Sequence, residues 1–385
     1  MILGGSTTSL LSLINCLDPE KYKIDLLLQS KSGPLYKSIP DKVNILPSAA
    51  KYGGKKGKII KLMKIFFSGV LVKAFFSRLK KRKLGLSQDV IIDYWAKVLS
   101  KKNTTHYDYA ISYLEGWSNS YLAHMVSADK KYAWIHSTFS KTAEDTKSQL
   151  SWIKKVDNVV FVTDACKVEF EKLLPEVADK ALTIFNVTDS KIIKQRAEQI
   201  DNGDSHYLAF SSFEGLKVIT VCRLTSNVKG LDRIVNCAKA LRDNGISFLW
   251  YIVGDGPDEG CIRALIESEH LEDYLVLAGR RFNPYPFIKI ADIMCMPSRY
   301  EGKPIVITES MILGVPPIVT EYLSANEQIE NGVDGVVVPN DDVAAVDSVV
   351  SVVKDSVKIE KLKENVRSRE YGNSEYVSEI EKMLF

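Results

Sequence analysis

Short apolar runs alternate with amphipathic stretches along the whole chain. In the first half the runs fall at residues 22–28, 43–46, 108–113, 131–135, 159–163 and 181–185, with helical patterns between them. The second half repeats the theme near 216–222, 248–253, 274–278, 292–296, 316–319 and 334–338. Apolar runs of this length, bounded by turn residues and separated by helical periodicity, predict βαβ units and parallel sheets. The expected fold class is therefore α/β, with two Rossmann-like halves. Residues 186–213 combine a polar helical pattern at 189–200 with Asp201-Asn-Gly-Asp-Ser205, a linker composition, and the hinge is placed there. The expected domains are 1–200 and 201–365, followed by a final helix in 366–385.

One feature departs from this scheme. A Rossmann half opens with a strand, and its Gly-rich loop follows. Here Gly4-Gly5-Ser6 comes almost at once, before a helical pattern at 8–17, and only Met1-Ile2-Leu3 is left as strand. The first strand is expected to be very short, or the true start to lie upstream of Met1.

Composition fits two full cores: 385 residues, 45% hydrophobic. No apolar run approaches the roughly 20 residues of a membrane-spanning helix. The first residues lack the charged and apolar regions of a secretory signal. Six cysteines at 16, 166, 222, 237, 261 and 295 show no C-x-x-C spacing, which points to buried free thiols in a reducing cytosol and to no metal site. Net charge is only +3, but it is unevenly spread. No acidic residue lies between Lys42 and Gln88, and 51–83 holds twelve Lys or Arg interleaved with apolar residues. A basic amphipathic stretch reads as a membrane-surface segment, with Lys80, Lys81, Arg82 and Lys83 as membrane or acceptor contacts. The alternative is an ordinary helix with a solvated basic face. No nucleic-acid module accompanies the run, so no nucleic-acid partner is expected.

The chemistry-bearing positions fall at strand ends. The run 216–222 leads into Arg223-Leu-Thr-Ser-Asn-Val-Lys229-Gly230, and ligands of open parallel sheets bind at that end. An Arg fork and a Lys point charge six residues apart can clamp a diphosphate. The run ending at Val253 leads into Gly254-Asp-Gly256-Pro257, where the glycines allow a tight turn and close backbone approach. The third feature is Glu301-Gly302-Lys303-Pro304-Ile305-Val-Ile-Thr-Glu309, a loop and the start of a helix stopped at Gly314. A helix N-terminus favours anions. Carboxylates beside an anion site suit a ligand that also carries hydroxyls, as a nucleotide sugar does. Taken singly, each feature has a plainer reading as a surface charge or a turn; their order is what is specific. No Asp-x-Asp is present to hold a metal–diphosphate complex.

This order of motifs resembles the retaining glycosyltransferases of family 4, of GT-B fold, especially those that build bacterial surface polysaccharides. The resemblance covers nearly the whole chain and is most specific from Val218 to Asn340. It implies two Rossmann-like domains facing across a cleft, the first on the acceptor side, with the last helix crossing back to the N-terminal domain. It implies that Arg223 and Lys229 bind the donor diphosphate, that Glu309 holds the ribose hydroxyls, and that Glu301 contacts the transferred sugar. Gly279-Arg280-Arg281 would lie against the base. Gly254, Gly256, Gly302, Lys303, Pro304 and Ile305 would line the donor site, and the Gly5 loop would help with the diphosphate or admit the acceptor. Ala133-Trp-Ile-His136-Ser resembles the family's strand-end histidine facing the donor sugar. Tyr113, Glu115, Gly116 and Trp117 share a loop that could equally be core or acceptor-facing.

The expected activity is retaining, metal-independent hexosyl transfer from a nucleoside diphosphate sugar to a hydroxyl of a glycan or lipid-linked acceptor. No cofactor is expected, and UDP-sugars are favoured over GDP-sugars. The expected place is the cytoplasm, peripheral on the anionic inner face of the cytoplasmic membrane. A rival is a catalytically silent GT-B subunit that positions a partner enzyme. A nicotinamide oxidoreductase fits poorly, since Gly4-Gly5-Ser-Thr-Thr-Ser is not a dinucleotide fingerprint.

Overall fold

The computed structural model describes residues 4–28, 33–50, 88–143 and 146–384. The expected opening strand at 1–3 and the basic run with Lys80–Lys83 lie outside these residues. The described chain forms two compact units.

The first unit takes in Leu17–Phe185 and the chain end from Ile380. Its strands are β1 (Ile24–Leu26), β2 (Val43–Ile45), β3 (His106–Ser112), β4 (Ser127–Ile135), β5 (Asn158–Phe161) and β6 (Ala181–Thr183). β1 and β2 pair with each other, and β3-β4-β5-β6 form a parallel sheet in that order. The Tyr107 hydroxyl on β3 donates to the Asp25 carboxylate on β1 at 2.9 Å. The core gathers Ile135, Phe161, Phe170 and Trp152. β4 and β5 are central strands, which is why their C-terminal residues are buried without alternation.

The second unit takes in residues 3–16 and Asn186–Glu379. Its strands are β7 (Leu216–Val221), β8 (Phe248–Val253), β9 (Leu275–Gly279), β10 (Ile293–Met296), β11 (Pro317–Thr320) and β12 (Val336–Val338). All are parallel, in the order β12-β11-β10-β7-β8-β9. Helices cover both faces, so alternate residues of β8 enter different cores: Trp250 and Ile252 one, Tyr251 and Val253 the other. The strand order reverses direction between β7 and β10, a topological switch point where the ends of two strands leave a crevice.

Three expectations about organisation need correction. Residues 186–200 are no linker: the units divide between Phe185 and Asn186. The helix Ser190–Ala197, capped by Asp189, buries Ile193 and Ala197 with Tyr207 and Phe210 in a core of the second unit. The helix Gly5–Cys16 belongs to the second unit as well, where Ser9 Oγ bonds to Asn186 Oδ1 at 2.8 Å. Residues 367–385 are not one helix. The helix Ser356–Arg367 ends, the chain turns through Gly372 and Asn373, and a second helix runs from Val377 to Leu384. Asn373 exchanges bonds with Thr188, which holds the turn in the second unit. Only the last residues belong to the first unit, where the Tyr132 hydroxyl donates to the Leu384 carbonyl at 2.7 Å.

Candidate active site

The switch point places two loops side by side. One leaves β7 as Cys222–Thr225, forms the short helix Ser226–Lys229 and turns at Gly230. The other leaves β10 as Pro297–Pro304 and opens the helix Ile305–Ile312. They approach so closely that a Cβ on Gly230, whose φ is +62°, would sit 2.2 Å from the Pro297 carbonyl oxygen. This contact brings Lys229 Nζ to Glu301 Oε1 at 2.6 Å, with both side chains mostly removed from solvent. Burial alone would lower the Lys229 ammonium. The charge and hydrogen bond of Glu301 outweigh it and hold the pKa above its ordinary value. Arg223 stands apart. Its side chain is exposed at the end of β7, and no hydrogen bond to a described residue engages its guanidinium.

Arg299 joins the two loops, although no motif in the sequence marks it. Its amide donates to the Val228 carbonyl (2.8 Å) and its guanidinium to the Ser226 carbonyl (3.1 Å). The same guanidinium binds Asp232 through two bonds of 2.8 and 2.6 Å and Asp342 at 3.0 Å. Asn340 Nδ2 holds the Arg299 carbonyl at 2.8 Å. Gly302 and Pro304 are fixed from the far side, by Ser324 Oγ on the Gly302 carbonyl and by Gln328 Nε2 on the Pro304 carbonyl at 3.0 Å. The N-cap residue of the helix Ile305–Ile312, Pro304, offers no side-chain cap. The leading amides of this helix therefore keep the anion preference of an open helix start. A Cβ on Gly5 would lie 3.5 Å from Ile305 Cδ1, so the starts of two helices converge here. Ile305 is buried, while Lys303 keeps partial exposure.

Gly254 and Gly256 have a packing role. A Cβ on Gly254 would come within 1.8 Å of the Cys222 carbonyl oxygen, and one on Gly256 within 2.3 Å of the Leu224 carbonyl oxygen. The β8 loop thus lies directly against the β7 loop, through Leu224 N to Asp255 O (2.9 Å) and Ser226 N to Asp258 Oδ2 (2.6 Å). Burial pushes the Cys222 thiol up to about 12, against the pull of Lys229. Asp255 pairs with Arg280 and is held below the usual carboxylate range by that contact and, more weakly, by Arg223. Arg281 turns to Asp204 (2.7 and 3.2 Å) and covers the Phe287 ring.

Glu309 is buried on the helix Ile305–Ile312, and its Oε1 accepts from the Tyr285 hydroxyl at 2.7 Å. Burial raises its pKa, partly offset by the Tyr285 bond and the charge of Arg196. Arg196 stacks over Tyr285, 4.8 Å from the ring centre. In the first unit, His136 follows β4, its Nε2 3.0 Å from the Tyr113 carbonyl and its amide bonded to Glu115 Oε1. The ring of Tyr113 tilts against it at 4.9 Å. Trp117 stacks on Tyr121 at 4.7 Å, a packing role, in the helix Trp117–Met125 entered at Gly116 (φ +82°). Among the described residues no group of three His, Cys, Asp or Glu gathers as a metal site would need.

Residues 211–369 match the family described as glycosyl transferases group 1. The chain is 34% identical over 140 residues to a protein of Escherichia coli named as a putative colanic acid biosynthesis glycosyltransferase, WcaL. It is 32% identical over 145 residues to the amylovoran biosynthesis glycosyltransferase AmsK of Erwinia amylovora. These matches span about a third of the length of each relative, 34% and 35%, and the same shares of this chain. Among solved structures, HepE of Anabaena, crystallised with UDP and glucose, is similar over 99% of this chain and 96% of its own, with a TM-score of 0.63 and 14% identity. That likeness gives the fold, two Rossmann-like domains of GT-B type.

Proposed function

From a GT-B fold that carries a glycosyl transferases group 1 domain, we propose that this protein is a glycosyltransferase of surface polysaccharide synthesis. It moves a sugar from a nucleoside diphosphate sugar to a hydroxyl of a glycan acceptor, with retention at the anomeric carbon. The reading rests above all on the switch-point crevice, where Lys229 and Glu301 meet beside an exposed Arg223 and the start of a helix. A diphosphate satisfies Arg223 and the amides, and the sugar hydroxyls have Glu301 within reach. UDP is the favoured nucleoside diphosphate, as in HepE, and a lipid-linked glycan the favoured acceptor.

In the reaction, the bond from the anomeric carbon to the distal phosphate breaks, and its electron pair stays on the phosphate oxygen. The acceptor oxygen bonds to that carbon, and its proton passes to the departing phosphate. Arg223, Lys229 and the amides around Ile305 meet the charge that grows on the leaving group without the help of a metal. Pre-aimed groups of this kind often contribute more to catalysis than any other single effect. Glu309, oriented by Tyr285, holds the ribose.

Thermal melting with a panel of nucleoside diphosphates and their sugars tests this. A ligand at ~100 times its dissociation constant adds about 2.7 kcal/mol to the native state. UDP or a UDP-sugar is expected to raise the melting temperature, and the stabilising sugar to be slowly hydrolysed by the chain alone. A flat response to every nucleotide removes the donor site. Binding without hydrolysis or transfer favours a silent subunit.

A further inference from the structure

Arg299 stands two residues before Glu301, on the loop that leaves β10, and its bonds reach the other loop on both sides of Lys229. Ahead of Lys229 its guanidinium donates to the Ser226 carbonyl (3.1 Å) and its amide to the Val228 carbonyl (2.8 Å). Beyond Lys229 the guanidinium donates to both oxygens of Asp232, at 2.8 and 2.6 Å. Between these ends Lys229 Nζ reaches Glu301 Oε1 at 2.6 Å. The segment that presents Lys229 is therefore gripped on both sides by one residue. That residue belongs to the loop that presents Glu301.

The grip is itself anchored. Asn340 Nδ2 donates to the Arg299 carbonyl at 2.8 Å, and Asp342 Oδ1 accepts from Arg299 at 3.0 Å and from Arg233 at 2.6 Å. Arg233 is buried, and its guanidinium also meets the Pro297 carbonyl (3.2 Å) and Asn340 Oδ1 (2.7 Å). The bond from Arg299 holds the Asp232 carboxyl below its usual range, so the pair stays ionised at neutral pH. The Asp232 and Asp342 side chains remain 41% and 61% exposed, and ion pairs this open to water contribute modestly to stability. What the guanidinium supplies is geometry. Two parallel bonds fix a direction as well as a distance, which the point charge of a lysine does not. Its donors are taken up by Ser226, Asp232 and Asp342, so Arg299 acts through other groups and not on a ligand.

We propose that Arg299, braced by Asp232, is a positioning residue for transfer: it sets Lys229 against Glu301, and donor turnover depends on its fork and not on its charge alone. The proposal rests on the glycosyl-transfer reading. Loss of the fork lets the two loops shift against each other, and a displacement of about 1 Å caused by a change away from the chemistry costs on the order of 10²-fold in rate.

Two measurements test it in Arg299→Lys, which keeps the charge and loses the fork. The first needs no activity: competitive acetylation of the native protein, with each lysine followed by peptide mass spectrometry. Lys229 is paired and mostly out of solvent, so it is expected to react slowly in the wild type and several-fold faster in the variant, while the other lysines keep their rates. An unchanged Lys229, or a rise shared by every lysine, overturns the proposal. The second is donor turnover. Arg299→Lys is expected to lower kcat by about 10²-fold, with a much smaller change in KM and a melting temperature close to that of the wild type. In a Lys229→Ala background the same substitution is expected to cost little more, because the group it positions is gone. A kcat close to wild type, or a full further loss in that background, overturns it. Asp232→Asn keeps an acceptor oxygen but loses the charge that faces the fork, and is expected to move both readouts in the same direction. Should Arg299→Lys not fold, Asp232→Asn is judged by the same outcomes. If acetylation changes as expected but the wild-type chain turns over no nucleotide sugar, the transferase reading fails and the role in transfer with it.

Discussion

Arg223 and Lys229 look equivalent in the sequence, two cations on one strand-end loop, and the structure separates them. Arg223 is exposed and makes no hydrogen bond to a described residue, while Lys229 is already paired with Glu301 out of solvent. Arg223→Ala is expected to leave the melting temperature nearly unchanged and to cut donor turnover by about 10²–10³, the usual loss for one pre-aimed group. Lys229→Ala removes the ammonium that faces the mostly buried Glu301 carboxylate, so it should also cost up to ~3 kcal/mol of stability. Their effects on turnover should not add, since both are proposed to act on one diphosphate. Near-wild-type turnover in both single variants would remove the donor site. Glu309 makes a second contrast, with pH. Its pKa is raised in the fold by burial. Such a group contributes most stability below its unfolded pKa, roughly 4.3, and loses it as pH rises through the folded value. At pH 7 the ionised form is a cost that Glu309→Gln removes. That variant should melt at or above the wild-type temperature at pH 7, with the gap closing toward pH 4, yet bind nucleotide more weakly by calorimetry. A variant less stable at pH 7 with unaltered nucleotide affinity would contradict both parts.

At the scale of elements, the twelve strand positions are legible because buried parallel strands read as short apolar runs with turn residues at each end. The loops that carry Arg223, Lys229, Glu301 and Glu309 are legible for the same reason: each motif abuts such a run. What holds those loops together is not. Arg299 meets Asp232 and Asp342, and Gln328 meets Pro304, across 67, 43 and 24 residues of chain. No local pattern encodes such pairs; in the sequence Arg299 looks like any charged loop residue. The glycines of Gly254-Asp-Gly256 read as room for a ligand, whereas the atoms nearest their missing side chains belong to Cys222 and Leu224. A close approach is visible in a glycine, but not what approaches. The break between the last two helices does have a local sign, Gly372-Asn373, residue types that favour turns.

At the scale of the whole molecule, both units are built from separated stretches of chain, which sequence order conceals. Ser9 bonds to Asn186, and Tyr132 to Leu384, so the helix at the start and the last residues of the chain each join a unit that lies far away in sequence. A polar composition at 186–200 suggests a linker because the exposed face of the helix Ser190–Ala197 dominates it, though Ile193 and Ala197 are enough to anchor the helix. Charge is a property of the same scale. The chain carries only +3 overall, yet residues 51–83 hold twelve cations and no acid. Among the described residues no helix is long and apolar enough to cross a membrane. For the lipid-linked acceptor proposed above, the basic run would supply surface attraction, worth about 1 kcal/mol per cation beside an anionic bilayer. Neutralising Lys80, Lys81, Arg82 and Lys83 together should weaken co-sedimentation with phosphatidylglycerol vesicles by roughly 10³-fold at low salt, the four contributions combined. Wild-type binding should itself fall as ionic strength rises and the attraction is screened. Binding that is indifferent to both the four substitutions and to salt would leave the run a solvated face and move the membrane contact elsewhere.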